Sequence, residues 1–120
     1  LAEQGNSQAQ YSLGSMYING QGVRKDYAEA AKWWRKAAEQ GHPSAQLNLG
    51  FRYANGQGVP QDYVHAHMLF DLAASRYPAS EVKNRNDAWR FRDAIASKMT
   101  PAQIAEAQRL AREWKPKKEK

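Results

Sequence analysis

Residues 2–37 read AEQGNSQAQYSLGSMYINGQGVRKDYAEAAKWWRKA, and residues 38–73, directly after them, read AEQGHPSAQLNLGFRYANGQGVPQDYVHAHMLFDLA. Half of the aligned positions carry the same residue. Self-similarity at a period in the range of about 20–50 residues marks a stack of like units, each too small to bury its own apolar face. The matches fall where a helical hairpin needs them. Ala9/Ala45, Leu13-Gly14/Leu49-Gly50 and Tyr17/Tyr53 recur at steps of three and four, the spacing of one helix face. The glycines of Asn19–Val23 and Asn55–Val59 then favour chain reversal. Asp26 and Asp62 follow, each able to accept from the orphan amides of a second helix, and Glu29 favours the positive end of that helix. Gly41 supplies a left-handed stop, and Pro43 suits the first turn of the next helix. This grammar predicts helices over 7–17, 27–37, 43–53 and 62–75, with Tyr27, Ala30, one of Trp33 and Trp34, and Ala37 on the buried stripe of the second.

After Ala74 the pattern changes. Tyr77-Pro78 interrupts the chain, and the segment from Ala79 to Lys98 has no Gly-x-Gly loop. Val82, Trp89, Ile95 and Met99 supply its buried stripe, while Lys83, Arg85, Arg90 and Arg92 are expected to stay wet. Thr100, Pro101 and Gln103 form a capping-box start, and Ile104, Ala107, Leu110, Ala111 and Trp114 define one face of a last helix that Pro116 ends. Such a helix is expected to cover the open end of the stack. The organisation is therefore two repeats within 1–76 (2–37 and 38–73), capping helices over 77–115 and a basic tail over 116–120.

With 120 residues, 42% of them hydrophobic and 25% charged, one folded domain is expected. The absence of cysteine excludes disulfides, thiolate metal sites and cysteine nucleophiles. No stretch is long and apolar enough to span a membrane, and the first residues lack a secretory pattern. Leu1-Ala2-Glu3 aligns with Ala37-Ala38-Glu39, so a longer parent chain is expected. The compartment stays open between cytoplasm and periplasm or exterior. Of the net charge of +6, half arises from Lys115, Lys117, Lys118 and Lys120 set against Glu119.

Reaction chemistry is thin. His65 and His67 lie about 200° apart around a helix and cannot chelate one metal from a shared face. The loop Asn19-Gly20-Gln21-Gly22 lacks the lysine and hydroxyl of a phosphate-binding loop. No catalytic residue, metal or cofactor is expected. Trp33, Trp34, Tyr63 and Phe70 could form an aromatic cage, but their spacing of three and four favours core, with one of the adjacent tryptophans turned toward a neighbour or partner.

Alanine at Ala9 and Ala45, Leu-Gly, tyrosine at Tyr17 and Tyr53, Gly-x-Gly-Val, Asp-Tyr and a following aromatic together resemble the SEL-one-like repeat, and Met99–Gln108 looks like the segment that closes many bacterial members. The resemblance implies an all-α, right-handed α/α solenoid of antiparallel helix pairs, akin to tetratricopeptide repeats, that serves as a non-catalytic adaptor between proteins. It places the first helix of each pair on the concave face, so Tyr11, Ser12, Ser15 and Asn19 from one repeat and Leu47, Asn48, Phe51 and Asn55 from the next are the expected partner contacts, with Gln8, Ile18 and Ser44 beside them. Two rival readings are electrostatic binding of nucleic acid or an acidic polymer through Arg85, Arg90, Arg92 and the lysine tail, and self-association through the faces of Leu13, Tyr17 and Tyr27.

Overall fold

Cap chemistry sets the start of nearly every element in the computed structural model, which describes residues 2 and 5–117. Six helices form among the described residues: α1 (Ser7–Asn19), α2 (Tyr27–Glu39), α3 (Pro43–Asn55), α4 (Tyr63–Arg76), α5 (Val82–Ala96) and α6 (Pro101–Glu113). There is no strand among the described residues, and no described helix is long and apolar enough to cross a membrane. Of the expected basic tail, Lys118, Glu119 and Lys120 lie outside the described residues. Asn6, Asp26 and Asp62 accept from the amides of Ala9, Glu29 and His65 at 2.8, 3.1 and 3.1 Å. Thr100 and Gln103 complete the capping box of α6. Only α5 starts without a side-chain cap bond.

Helices α1 to α5 pack in succession, as two antiparallel pairs (α1–α2 and α3–α4) followed by α5, in a particle of 41 × 27 × 27 Å. The repeated alanines hold the layers close: Ala30, Ala31, Trp34, Ala37, Ala38, Ala45, Leu49 and Leu69 form one buried cluster, and Ala73, Ala74, Tyr77 and Ala88 form the next. The glycine of each Leu-Gly pair is a point of close approach. A Cβ at Gly14 would stand 2.5 Å from the Trp34 ring, and one at Gly50 2.8 Å from the Phe70 ring. Two buried glutamines lock this register. Gln10 donates to the Ala2 carbonyl and Gln46 to the Ala38 carbonyl, both at 3.2 Å, so corresponding residues make the same bond in the two copies. Neither glutamine was expected in the interior, where an unpaired amide is costly and a paired one fixes geometry.

Several expected faces need correction. Tyr27 is 37% exposed rather than buried, because it is the first residue of α2 and turns toward Lys25 and Arg52. Val82 is 59% exposed for the same reason at the start of α5, where Ala88 is the buried residue. Both adjacent tryptophans are buried, but only Trp34 joins the core cluster; Trp33 lies beneath the side chains of Lys32 and Lys36. The last helix folds back: α6 packs on α4, with Gln108 and Ala111 beside Leu72, and Trp114 beside Met68 and Leu69. Beyond it the chain crosses to α2, where the Lys117 amide donates to the Glu39 carbonyl at 2.7 Å. The apolar outer face of α4 accounts for this placement.

Candidate functional site

Helices α1, α3 and α5 touch through their side chains and make one continuous face. Near their N-termini the contacts are polar and aromatic. His42 lies 2.9 Å from Gln8 and stacks on Tyr11 with ring centroids 4.7 Å apart, Asn48 reaches the Tyr11 hydroxyl at 3.4 Å, and Ser44 meets Tyr77 at 3.0 Å. Toward the C-termini the contacts are apolar. Phe51 of α3 meets Phe91 of α5 edge to face at 4.6 Å and Phe70 of α4 at 5.3 Å. There Phe51, Ala54, Asn55, Phe70, Phe91, Ala94 and Ile95 line an open notch of about 190 Å³.

The expected contact residues separate accordingly. Phe51 and Asn55 meet at the notch, and Tyr11 and Asn48 are joined to each other. Ser12 and Asn19 stand exposed, whereas Ser15 is spent on the Tyr11 carbonyl of its own helix at 3.2 Å. Leu47 packs against the Ala73, Ala74, Tyr77 and Ala88 cluster, so it serves the core. Phe91 and Ala94 were missed. The divergent unit has no second copy to reveal them, although Ala88, Phe91 and Ile95 do recur at steps of three and four.

The basic residues of the third unit are mostly engaged within the molecule, which corrects the expectation that Arg85 and Arg92 stay wet. Arg85 donates to the Ala74 carbonyl at 3.2 Å. Arg92 pairs with Asp71 at 3.0 Å and Asp93 at 2.9 Å and lies over the Trp89 ring at 4.3 Å. Arg90 is exposed, 3.8 Å from Asp87. The face invoked for self-association is also incomplete, since Tyr27 turns toward the second repeat and Tyr17 packs on the first core cluster.

His42 has a definite local role: its Nδ1 accepts from the Ala45 amide at 3.1 Å and caps α3. That bond requires the proton on Nε2, which donates to Gln8. Burial lowers the His42 pKa below 6.5, opposed in part by a backbone hydrogen bond, and burial also lowers that of buried His67. A lowered folded-state pKa means that the stabilisation is present above the unfolded value and is lost as pH falls through the folded one. The cap is worth about 1 kcal/mol. His42→Asn, which caps without titrating, should therefore lose less stability than the native chain between pH 7.5 and pH 5 in urea titrations, the His67 contribution remaining in both. Parallel losses would refute the role of the His42 cap.

Comparison with known proteins follows the same lines. The family model of the Sel1 repeat matches residues 7–42 and 43–77, a frame that begins at α1. One similar solved structure is that of a protective antigen present in uropathogenic Escherichia coli strains and displaying an SLR fold. It is 37% identical with a TM-score of 0.84, over 94% of this chain and 23% of that one, so the likeness runs well past residue 77 into the divergent unit. A Sel1 repeat protein from Oxalobacter formigenes is 42% identical with a TM-score of 0.62, over 63% of this chain and 58% of the other. This chain thus spans less than two thirds of either. No curated protein matches it.

Proposed function

This chain belongs to the Sel1 repeat family, an α/α solenoid of scaffold type whose members generally serve protein–protein interaction, and on that premise we propose that it is a non-catalytic adaptor that grips a partner segment along the concave face of its first helices. The anchor is an apolar side chain of the partner, seated between Phe51 and Phe91. Asn48, Asn55, Ser12 and Asn19 give polar contacts along the segment, with Tyr11 beside them.

The observation that supports this reading is the aromatic notch. Its volume of about 190 Å³ is below the roughly 300–1,000 Å³ of small-molecule pockets, so it suits one large side chain better than a free ligand. Aromatic walls around an open apolar recess are also the usual setting of an interface hot spot. The polar ladder at the other end of the helices is partly engaged internally, which leaves the notch as the stronger source of binding energy.

Ala94 is exposed at the rim, so Ala94→Arg should fill the notch without unfolding the chain. Peptides selected by display against the native chain should carry an apolar or aromatic anchor, and Ala94→Arg should weaken them about tenfold or more in fluorescence anisotropy, the scale of one lost hot spot. Selected peptides that bind the variant as well as the native chain would rule out the notch.

A further inference from the structure

The duplication makes α2 and α4 counterparts, and their outer faces differ at matched positions. Lys32, Trp33 and Lys36 on α2 correspond to Met68, Leu69 and Leu72 on α4. On α4 this face carries α6, which packs against that helix, and Leu69 and Leu72 are buried. On α2 the same positions line an open groove of about 530 Å³, with Lys117 at its rim. Among the described residues, therefore, one such groove holds a helix and the other does not, and the second is basic.

The local geometry gives the open groove a character of its own. The ammonium groups of Lys32 and Lys36 stand 5.2 and 5.5 Å from the centre of the Trp33 ring, so their stems roof the indole while their charges face solvent. Among the described residues, the carboxylates near these cations are Glu29, 3.7 Å from Lys32, and Glu39, 3.4 Å from Lys117. A Met-Leu-Leu surface suits the apolar face of α6. A Lys-Trp-Lys surface suits a helix whose apolar stripe is flanked by carboxylates, which would draw the ammoniums outward and uncover the ring. Paired charges at the rim and an aromatic anchor at the centre are the arrangement that gives an interface its orientation and its affinity.

We propose that the outer face of α2, centred on Trp33 between Lys32 and Lys36, docks an acidic amphipathic helix of a partner protein in the position that α6 holds on α4. This surface is separate from the Phe51–Phe91 notch and can be tested independently of it. The probe is a fluorescein-labelled peptide of residues 101–114 carrying Arg109→Glu and Arg112→Glu, which keeps the apolar face of α6 and makes its flanks acidic. It should bind the full chain saturably, and Lys32→Glu/Lys36→Glu should weaken it about tenfold or more, as expected for loss of paired rim charges around an anchor. Ala94→Arg should leave it unchanged. Both lysines are exposed, so the double variant should keep its helical circular dichroism and melting temperature; Lys32→Gln/Lys36→Gln, which removes charge without reversing it, should fall between it and the native chain. Absence of saturable binding, or equal binding by the double variant, overturns the proposal. Equal competition by poly-aspartate or duplex DNA overturns the helix in favour of a generic polyanion. Displacement of the peptide by self-association in sedimentation overturns it in favour of a second copy.

Discussion

Replacing Trp34 by alanine is expected to cost about 3–5 kcal/mol, the range for removing a large aromatic side chain from a packed interior. The indole is 3% exposed, donates its Nε1 proton to the Tyr11 carbonyl at 3.1 Å and fills the space left by the missing side chain of Gly14. Truncation would open a cavity where α1 crosses α2 and remove a hydrogen-bond donor that joins the two helices. Trp33→Ala should cost much less, about 1 kcal/mol, because lysine stems on its outer side can collapse into the vacated volume. Trp34→Phe introduces the residue that the second copy uses at Phe70, where it packs against Gly50, and should recover most of the loss. Urea denaturation of the three variants measures all of this. Equal losses at Trp33 and Trp34 would show that the core is centred elsewhere.

The parts of the fold that could be read from sequence are those governed by local physics and written twice. Aspartate caps, Gly-x-Gly turns and alanine stripes act within a few residues, and their repetition at matched positions separated them from coincidence. The hairpins α1–α2 and α3–α4 follow from them. The third unit had no second copy, and α5 has no side-chain cap bond, so neither its start nor its buried face was marked locally. The choice of Val82 over Ala88 and Phe91 followed from that. The docking place of α6 is a tertiary matter and could not be read from α6 itself. It was nevertheless present in the contrast between the copies, since Met68, Leu69 and Leu72 are apolar where Lys32 and Lys36 are charged. Gln10 and Gln46 show the opposite limit: a polar residue on a helix reads as surface, and only its identity in both copies hints at an interior role. At the candidate site, Phe51 and Asn55 line the notch because both lie on α3, whose bounds were marked locally. Leu47 and Ser15 were misjudged because lying on a helix face does not say whether a neighbouring helix or the residue's own backbone has already claimed the side chain.

Gly58→Ala should cost about 2–6 kcal/mol, whereas Gly22→Ala should cost about 1–3 kcal/mol, although the two glycines occupy the same place in the duplicated sequence. Both lie in the left-handed region, at φ +81° and +72°, so alanine at either incurs the backbone strain alone, about 1–3 kcal/mol. Their surroundings differ. A Cβ at Gly58 would run into the Tyr27 carbonyl and stand 2.9 Å from the Ala28 amide nitrogen, because the second loop rests on the first turn of α2. A Cβ at Gly22 would meet only the Met16 Cε at 3.8 Å. The difference between the two losses therefore isolates the contact between one repeat and the next from the strain of the turn, which the two variants share. Backbone atoms cannot move aside as a flexible side chain can, so Gly58→Ala must separate the loop from α2 or shift the whole second hairpin, at an overpacking cost of about 1–3 kcal/mol. Urea titrations of the two variants give the comparison, with circular dichroism confirming that both remain helical in the absence of urea. A clear excess for Gly58 means that the hairpins are held in register by this loop-to-helix contact as well as by their alanine faces. Equal losses would mean that the second loop clears α2, and that the alanine faces and the Gln46 bond to the Ala38 carbonyl set the stacking without it.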